Sequence, residues 1–209
     1  MDEELQKRIL SSTILLPLTF YFIIKGSYYL IFFTMTCFFV SIYEWNRMVK
    51  KTEYKFLGSF FLILSFYTFY KISINNFGIW IFFVLLVCIS TDIGGYVFGK
   101  LFKGPKLTKI SPNKTYSGMI GGYFLSLIFL LIFMNWINST THVEWFIITI
   151  LISTISQIGD IIISYFKRLS KVKDTGKIIP GHGGLLDRID GMIFAFPIFY
   201  LIKLMGFLA

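Results

Sequence analysis

Between Ser164 and Asp190 the chain places six basic residues, three aspartates, one histidine and four glycines in 27 positions of an otherwise apolar sequence. Such a set suits phosphate chemistry. Lys167, Arg168, Lys173 and Arg188 are cationic donors for phosphate oxygens, while Gly181, Gly183 and Gly184 let backbone N–H groups come close to an anion. Asp174, Asp187 and Asp190 are hard oxygen ligands of the kind that hold Mg²⁺, an ion that usually arrives with a phosphate chain. The stretch reads as a site for a nucleoside triphosphate at a membrane surface.

The membrane follows from composition. Of 209 residues, 56% are hydrophobic, 20% aromatic and only 15% charged, which is far from the usual balance of a soluble domain. Cys37 and Cys88 fall inside apolar runs and read as small buried hydrophobes, not as a disulfide or a metal site. Seven apolar runs are expected to span a bilayer: Ile9 to Ile24, Tyr28 to Tyr43, Phe56 to Tyr70, Phe77 to Phe98, Gly118 to Ile137, Val143 to Phe166 and Gly191 to Leu208. A span needs about 17 to 25 residues, so the first three runs are short and the third is the weakest. The first run lacks a small-residue cleavage site and reads as a retained helix rather than a signal peptide. The expectation is an all-α integral membrane protein, a single polytopic domain over residues 1–209 with a catalytic half at about 90–191.

Basic residues test that count. With seven spans and a cytoplasmic N-terminus, all of the 20 lysines and arginines except Lys25, Lys71 and Lys203 fall on the cytoplasmic side. The net charge of +9 then belongs to one face of a multi-pass cell (inner) membrane protein. That face suits anionic lipids and nucleotides. Nucleic acid is not expected, because the charge lies in short interhelical loops at the bilayer.

Three further segments feed this face. Asp92 sits near the end of the fourth run, and a carboxylate near a membrane reads first as functional, with ion pairing to a lysine as the alternative. In the loop Lys109 to Gly122, the residues Ser111, Asn113, Lys114, Thr115 and Ser117 suit phosphate binding or helix capping, with Ser117 a candidate N-cap. Gly118, Gly122 and Ser126 form a small-residue stripe that reads as a packing seam, internal or in a homodimer. On the sixth run, Ser153, Gln157, Asp160, Ser164 and Lys167 recur at helical spacing and share one face, which must turn away from lipid. Interhelical hydrogen bonding accounts for Ser153 and Gln157, whereas Asp160 lies one turn from Ser164 and two from Lys167. Asp187 and Asp190 share a face at the start of the seventh run, where dipole capping and metal binding both apply. His182 reads as a phosphate donor, with proton transfer or loop bracing as alternatives.

The order Ser164, Lys167-Arg168, Lys173-Asp174, Gly176, Pro180, His182-Gly183-Gly184, Asp187-Arg188, Asp190 resembles the signature of the phosphatidate cytidylyltransferases, or CDP-diacylglycerol synthases. The loop SPNKT and the aspartate-isoleucine-glycine segment at Asp92 are similar to that family as well. Family members usually carry an acid where this chain has Ser117, often a glutamate where it has Ile163, and one or two more spans. The resemblance covers about Ser90 to Asp190.

What it implies is Mg²⁺-dependent transfer of CMP from CTP to phosphatidic acid, giving CDP-diacylglycerol and pyrophosphate. Asp160, Asp187, Lys167, Arg168 and His182 are the expected catalytic residues, and Ser111, Lys114, Thr115, Ser164, Lys173, Asp174, Gly183, Gly184 and Arg188 the expected substrate-binding ones. Asp160 and Asp187, with Asp190 and Asp92, are the expected metal ligands, and a second, monovalent cation is left open. CTP, phosphatidic acid and membrane lipids are the expected partners. Another CTP-dependent lipid enzyme, such as a polyprenol kinase or an archaeal-type lipid cytidylyltransferase, is the first alternative. A membrane anion transporter is the second, although its charges would be expected near the bilayer midplane.

Overall fold

The computed structural model describes Thr13 and residues 17–74, 78–137, 142–181 and 183–206. Among them the regular structure is helical, with two isolated β-bridges, Lys106 to Thr115 and Ile179 to Gly183. A helical stretch at residues 17–25 precedes α1 (Ser27–Met48), α2 (Thr52–Ile74), α3 (Gly78–Phe102), α4 (Tyr116–Trp136), α5 (Val143–Leu169), the single turn α6 (Leu186–Ile189) and α7 (Met192–Leu204).

Helices α1 to α5 have 21 to 27 residues and are long and apolar enough to cross a bilayer, which makes this a multi-pass membrane protein. The second and third expected spans, short by hydropathy, are full length because polar residues continue them: Glu44, Asn46 and Arg47 extend α1, and Thr52, Glu53 and Lys55 begin α2. The last expected span is different. Its helix α7 has 13 residues, with Pro197 inside, and at 1.5 Å per residue it falls well short of a hydrocarbon core of about 30 Å. Of the first expected span, residues 9–12 and 14–16 lie outside the described residues, and residues 17–24 are helical.

Two compact units divide the chain. The first joins Met1–Gly78 to Phe166–Ile189. In it α1 lies along α2: the Trp45 ring rests on Gly58, where any side chain would collide with it, and the indole Nε1 donates to the Tyr54 carbonyl at 3.1 Å. Phe166 meets the rings of Trp45 and Tyr54 edge-on at 5.0 and 5.5 Å, which anchors the returning segment to these helices.

The second unit joins Ile79–Tyr165 to Asp190–Ala209. Its helices α3 and α4 meet backbone to backbone, since a Cβ on Gly94 would strike the Gly121 carbonyl and one on Gly118 would lie 2.6 Å from the Gly95 carbonyl. The small-residue stripe is therefore an internal seam. Thr91 donates to Ser153 at 2.8 Å and Gln157 to Ser153 at 3.5 Å, so these polar groups bond within the bundle as expected. Gly159 of α5 receives Phe194 of α7, while Trp80, Phe83, Phe133, Trp145 and Phe199 form an aromatic core at the other end.

Candidate active site

The segment between α5 and α6 is held by carboxyl groups. As α5 ends, Val172 donates to the Lys167 carbonyl at 2.9 Å and Lys171 turns into the left-handed region at φ 59°. The chain then folds back through the Ile179 to Gly183 bridge, closed by an N–H to carbonyl bond of 2.9 Å, with Gly181 and Gly183 both at positive φ. This turn brings Asp187 to Lys167, 20 residues earlier.

Lys167 Nζ donates to Asp187 Oδ1 at 2.8 Å, and the two side chains are only 11% and 5% exposed. Asp187 Oδ2 accepts three more bonds, from the Thr175 N–H at 2.8 Å, the Thr175 hydroxyl at 3.0 Å and the Gly184 N–H at 3.0 Å. A carboxyl oxygen so engaged is filled; Oδ1, with one donor on it, is not. Arg168, Lys173, Asp174 and Arg188, near the pair in sequence, are exposed. His182 lies outside the described residues.

A second acid was not singled out by sequence. Glu44, in the last turns of α1 and 1% exposed, accepts from the Leu185 N–H on Oε1 at 3.0 Å, and on Oε2 from the Leu186 N–H at 2.9 Å and the Thr175 hydroxyl at 3.1 Å. These are two of the N–H groups that the start of a helix leaves without intrahelical partners. The signal was available: a carboxyl at the end of an apolar run meets the same rule that singled out Asp92.

In the other unit, Lys114 and Asp160 form an ion pair. Lys114 Nζ lies 2.5 Å from Asp160 Oδ2, with the side chains 23% and 30% exposed, and Ser164 donates to Oδ1 at 3.3 Å. Lys114 is presented by a loop tied across itself, with Leu107 N–H on the Lys114 carbonyl at 2.7 Å and Lys114 N–H on the Ser111 carbonyl at 3.1 Å. Ser111 N–H bonds the Thr108 hydroxyl at 3.1 Å, and an open cleft of about 460 Å³ is lined by Lys106, Leu107, Thr108, Lys109 and Pro112.

The cap of α4 is Thr115, not Ser117. Its extended backbone, φ −121° and ψ 157°, and its side chain, accepting from the Gly118 N–H at 3.1 Å, are those of an N-cap. Ser117 lies inside the first turn and donates to the Lys103 carbonyl. Asp190 is buried and accepts the Gly191 N–H at 2.9 Å, while Asp92 is exposed on α3. Ile163, where related sequences often carry a glutamate, is buried at 3% exposure.

Among the described residues, no three His, Cys, Asp or Glu side chains gather into a metal cage. That is compatible with Mg²⁺, which binds through one or two carboxylates with water and substrate phosphates completing the shell. The donor chemistry fits: Asp187 retains capacity on Oδ1, and each oxygen of Asp160 has one partner among those described.

A multi-pass helical protein with an enclosed lysine–aspartate pair at a basic, glycine-bearing turn belongs to the class of membrane proteins whose polar groups suit phosphates. The cytidylyltransferase family model matches residues 56–205, which include both ion pairs. The chain belongs to that family. The phosphatidate cytidylyltransferase of Staphylococcus aureus (strain COL) is 37% identical over 161 residues, covering 72% of this chain and 61% of the relative. Its counterpart in Staphylococcus saprophyticus is 46% identical over 122 residues, 57% of this chain and 46% of the relative. A third, from Staphylococcus haemolyticus, is 37% identical over 161 residues. This chain thus spans less than two thirds of the length of the curated relatives it matches.

Proposed function

We propose that this chain is a phosphatidate cytidylyltransferase, which transfers CMP from CTP to the phosphate of phosphatidic acid. The observation that carries the reading is the enclosed Lys167 to Asp187 pair within the family-matched residues, at the base of a turn, with the exposed Arg168, Lys173 and Arg188 near it in sequence.

Both reactants are polyanions, so the main task is to neutralise and align them. An ammonium group has three donors; with one on Asp187, the others of Lys167 can meet phosphate oxygens. Arg168, Lys173 and Arg188 add exposed cations, and Lys114 serves likewise in its own unit. His182 is a further phosphate donor, and Ser111, Thr115, Ser164, Asp174 and Gly183 complete the substrate-binding set, while Gly184, whose N–H is bonded to Asp187, acts through that carboxylate. The lipid phosphate attacks the α-phosphorus of CTP in line, a new phosphorus–oxygen bond forms, and the bond to the β-phosphate breaks to release pyrophosphate. The attacking oxygen is already ionised at neutral pH, so no general base is required. Mg²⁺, with Asp160, Asp187, Asp190 and Asp92 as its candidate holders, would supply further charge neutralisation along the phosphate chain.

The finer topology belongs to the same proposal. A cytoplasmic N-terminus and a site open to the cytoplasm, with the 13-residue α7 standing as a shortened seventh span, would put the basic loops beside anionic head groups and nucleotide.

One assay tests the reading. Purified protein with CTP should release pyrophosphate only when phosphatidic acid and Mg²⁺ are both present, and label in the α-phosphate of CTP should enter the lipid. Transfer of γ-label instead would make the protein a kinase, and no lipid-dependent release would end the proposal.

A further inference from the structure

Glu44 lies ahead of the family-matched residues, yet its carboxyl group is among the most enclosed polar groups described. Its three partners are spread across the returning segment: the hydroxyl of Thr175, and the N–H groups of Leu185 and Leu186. Two glycines make room for it. A Cβ on Gly176 would come within 2.6 Å of Glu44 Oε1, and a Cβ on Gly184 within 2.5 Å of Oε2. The sequence of the segment is thus shaped around a side chain from another helix.

Thr175 links this acid to the candidate site. Its hydroxyl lies 3.1 Å from Glu44 Oε2 and 3.0 Å from Asp187 Oδ2. One hydroxyl carries one proton, so it can donate to only one of these oxygens at a time, and the two carboxyl groups are coupled through it. Gly184 is shared as well, since its N–H bonds Asp187 while its Cα faces Glu44.

We infer that Glu44 is a positioning residue: from α1 it fixes the Thr175 to Ile189 segment in the one shape that presents Asp187 to Lys167. Glu44 touches neither member of that pair and acts on it through Thr175 and the backbone of Gly184 to Leu186. As a statement about catalysis this rests on the cytidylyltransferase reading; as a statement about the segment it does not.

The test is Glu44→Gln in the full chain in detergent, which keeps the volume and replaces one acceptor oxygen with a donor. Amide hydrogen exchange across Gly184 to Leu186 should quicken by about tenfold or more, the effect of leaving one buried donor unpaired, while exchange in the Gly94 to Gly122 seam stays as in the parent. Pyrophosphate release should fall by a similar factor in kcat with a smaller change in KM for CTP. Thr175→Val, which removes the shared hydroxyl and little else, should move both readouts the same way, and the double variant should show less than the sum of the two. Should Glu44→Gln not fold, Thr175→Val and Gly184→Ala carry the test. Parent-like exchange at Gly184 to Leu186 in the variants would overturn the inference, and so would faster exchange with unchanged kcat or strictly additive effects. A parent protein that exchanges as described but shows no lipid-dependent pyrophosphate release would defeat the assigned reaction and leave the role of Glu44 in the segment standing.

Discussion

Lys167 and Asp187 are 20 residues apart in sequence and 2.8 Å apart in space, and Asp187 serves the segment between them as much as it serves the lysine. One of its oxygens faces the cation; the other collects the Thr175 and Gly184 N–H groups and the Thr175 hydroxyl. The pair is therefore both a candidate reaction site and the clasp of the turn around it.

Asp187→Asn should remove activity and loosen the turn together. The new amide would present a donor to Lys167 or to the Thr175 and Gly184 N–H groups, and breaking an enclosed ion pair from one side costs about 3 to 5 kcal/mol. Trypsin should then cut at Lys173 and Lys177 under conditions where the parent resists. Wild-type turnover in this variant would remove Asp187 from the site.

Asp160→Asn should behave differently, because the Lys114 to Asp160 pair is partly exposed. Exposed pairs contribute about 0 to 1 kcal/mol, so the thermal midpoint in detergent should shift little. Pyrophosphate release should nevertheless fall at least about tenfold, on the expectation that one metal or phosphate contact contributes more than about 1.4 kcal/mol to the transition state. A variant with normal turnover would reduce Asp160 to a surface charge.

These contrasts show what was legible in the sequence. Lys167 and Asp187 were singled out for types that suit phosphate and metal chemistry, and the structure pairs them; the small-residue stripe was legible because helices in lipid meet over small side chains. Helix ends were less legible: Glu44, Asn46 and Arg47 are polar, so hydropathy closed that span at Tyr43, although the backbone continues helical to Met48. Ser117 was the last small polar residue before an apolar run, but the helix starts two residues earlier, after Thr115, which has the extended backbone a cap needs. Glu44 could have been singled out as a carboxyl at the end of an apolar run, but not its role, because its partners are N–H groups more than 130 residues away and pattern along the chain carries no record of such pairing.

The α3 to α4 seam gives a sharp pair of substitutions. Gly94→Ala would push a methyl group into the Gly121 carbonyl and should lower stability by about 1 to 3 kcal/mol, the usual effect of overpacking. Gly95→Ala, whose nearest neighbour would be the Gly118 carbonyl at 3.8 Å, should be neutral or stabilising by up to about 1 kcal/mol from helix propensity. Thermal unfolding in detergent compares them directly. Equal midpoints would mean that these helices do not meet at Gly94.

The proposed orientation rests on the distribution of charge and is open to a direct check. In a background without Cys37 and Cys88, a cysteine at an exposed position of the returning segment, Lys171→Cys, should be labelled by a membrane-impermeant maleimide only in inside-out vesicles or after permeabilisation. One at Lys25, assigned by the same rule to the opposite side, should be labelled in intact cells. CTP is made and kept inside the cell, so a site reached from outside could not be supplied with it. Labelling of Lys171→Cys in intact cells would therefore overturn the topology and the assigned reaction together.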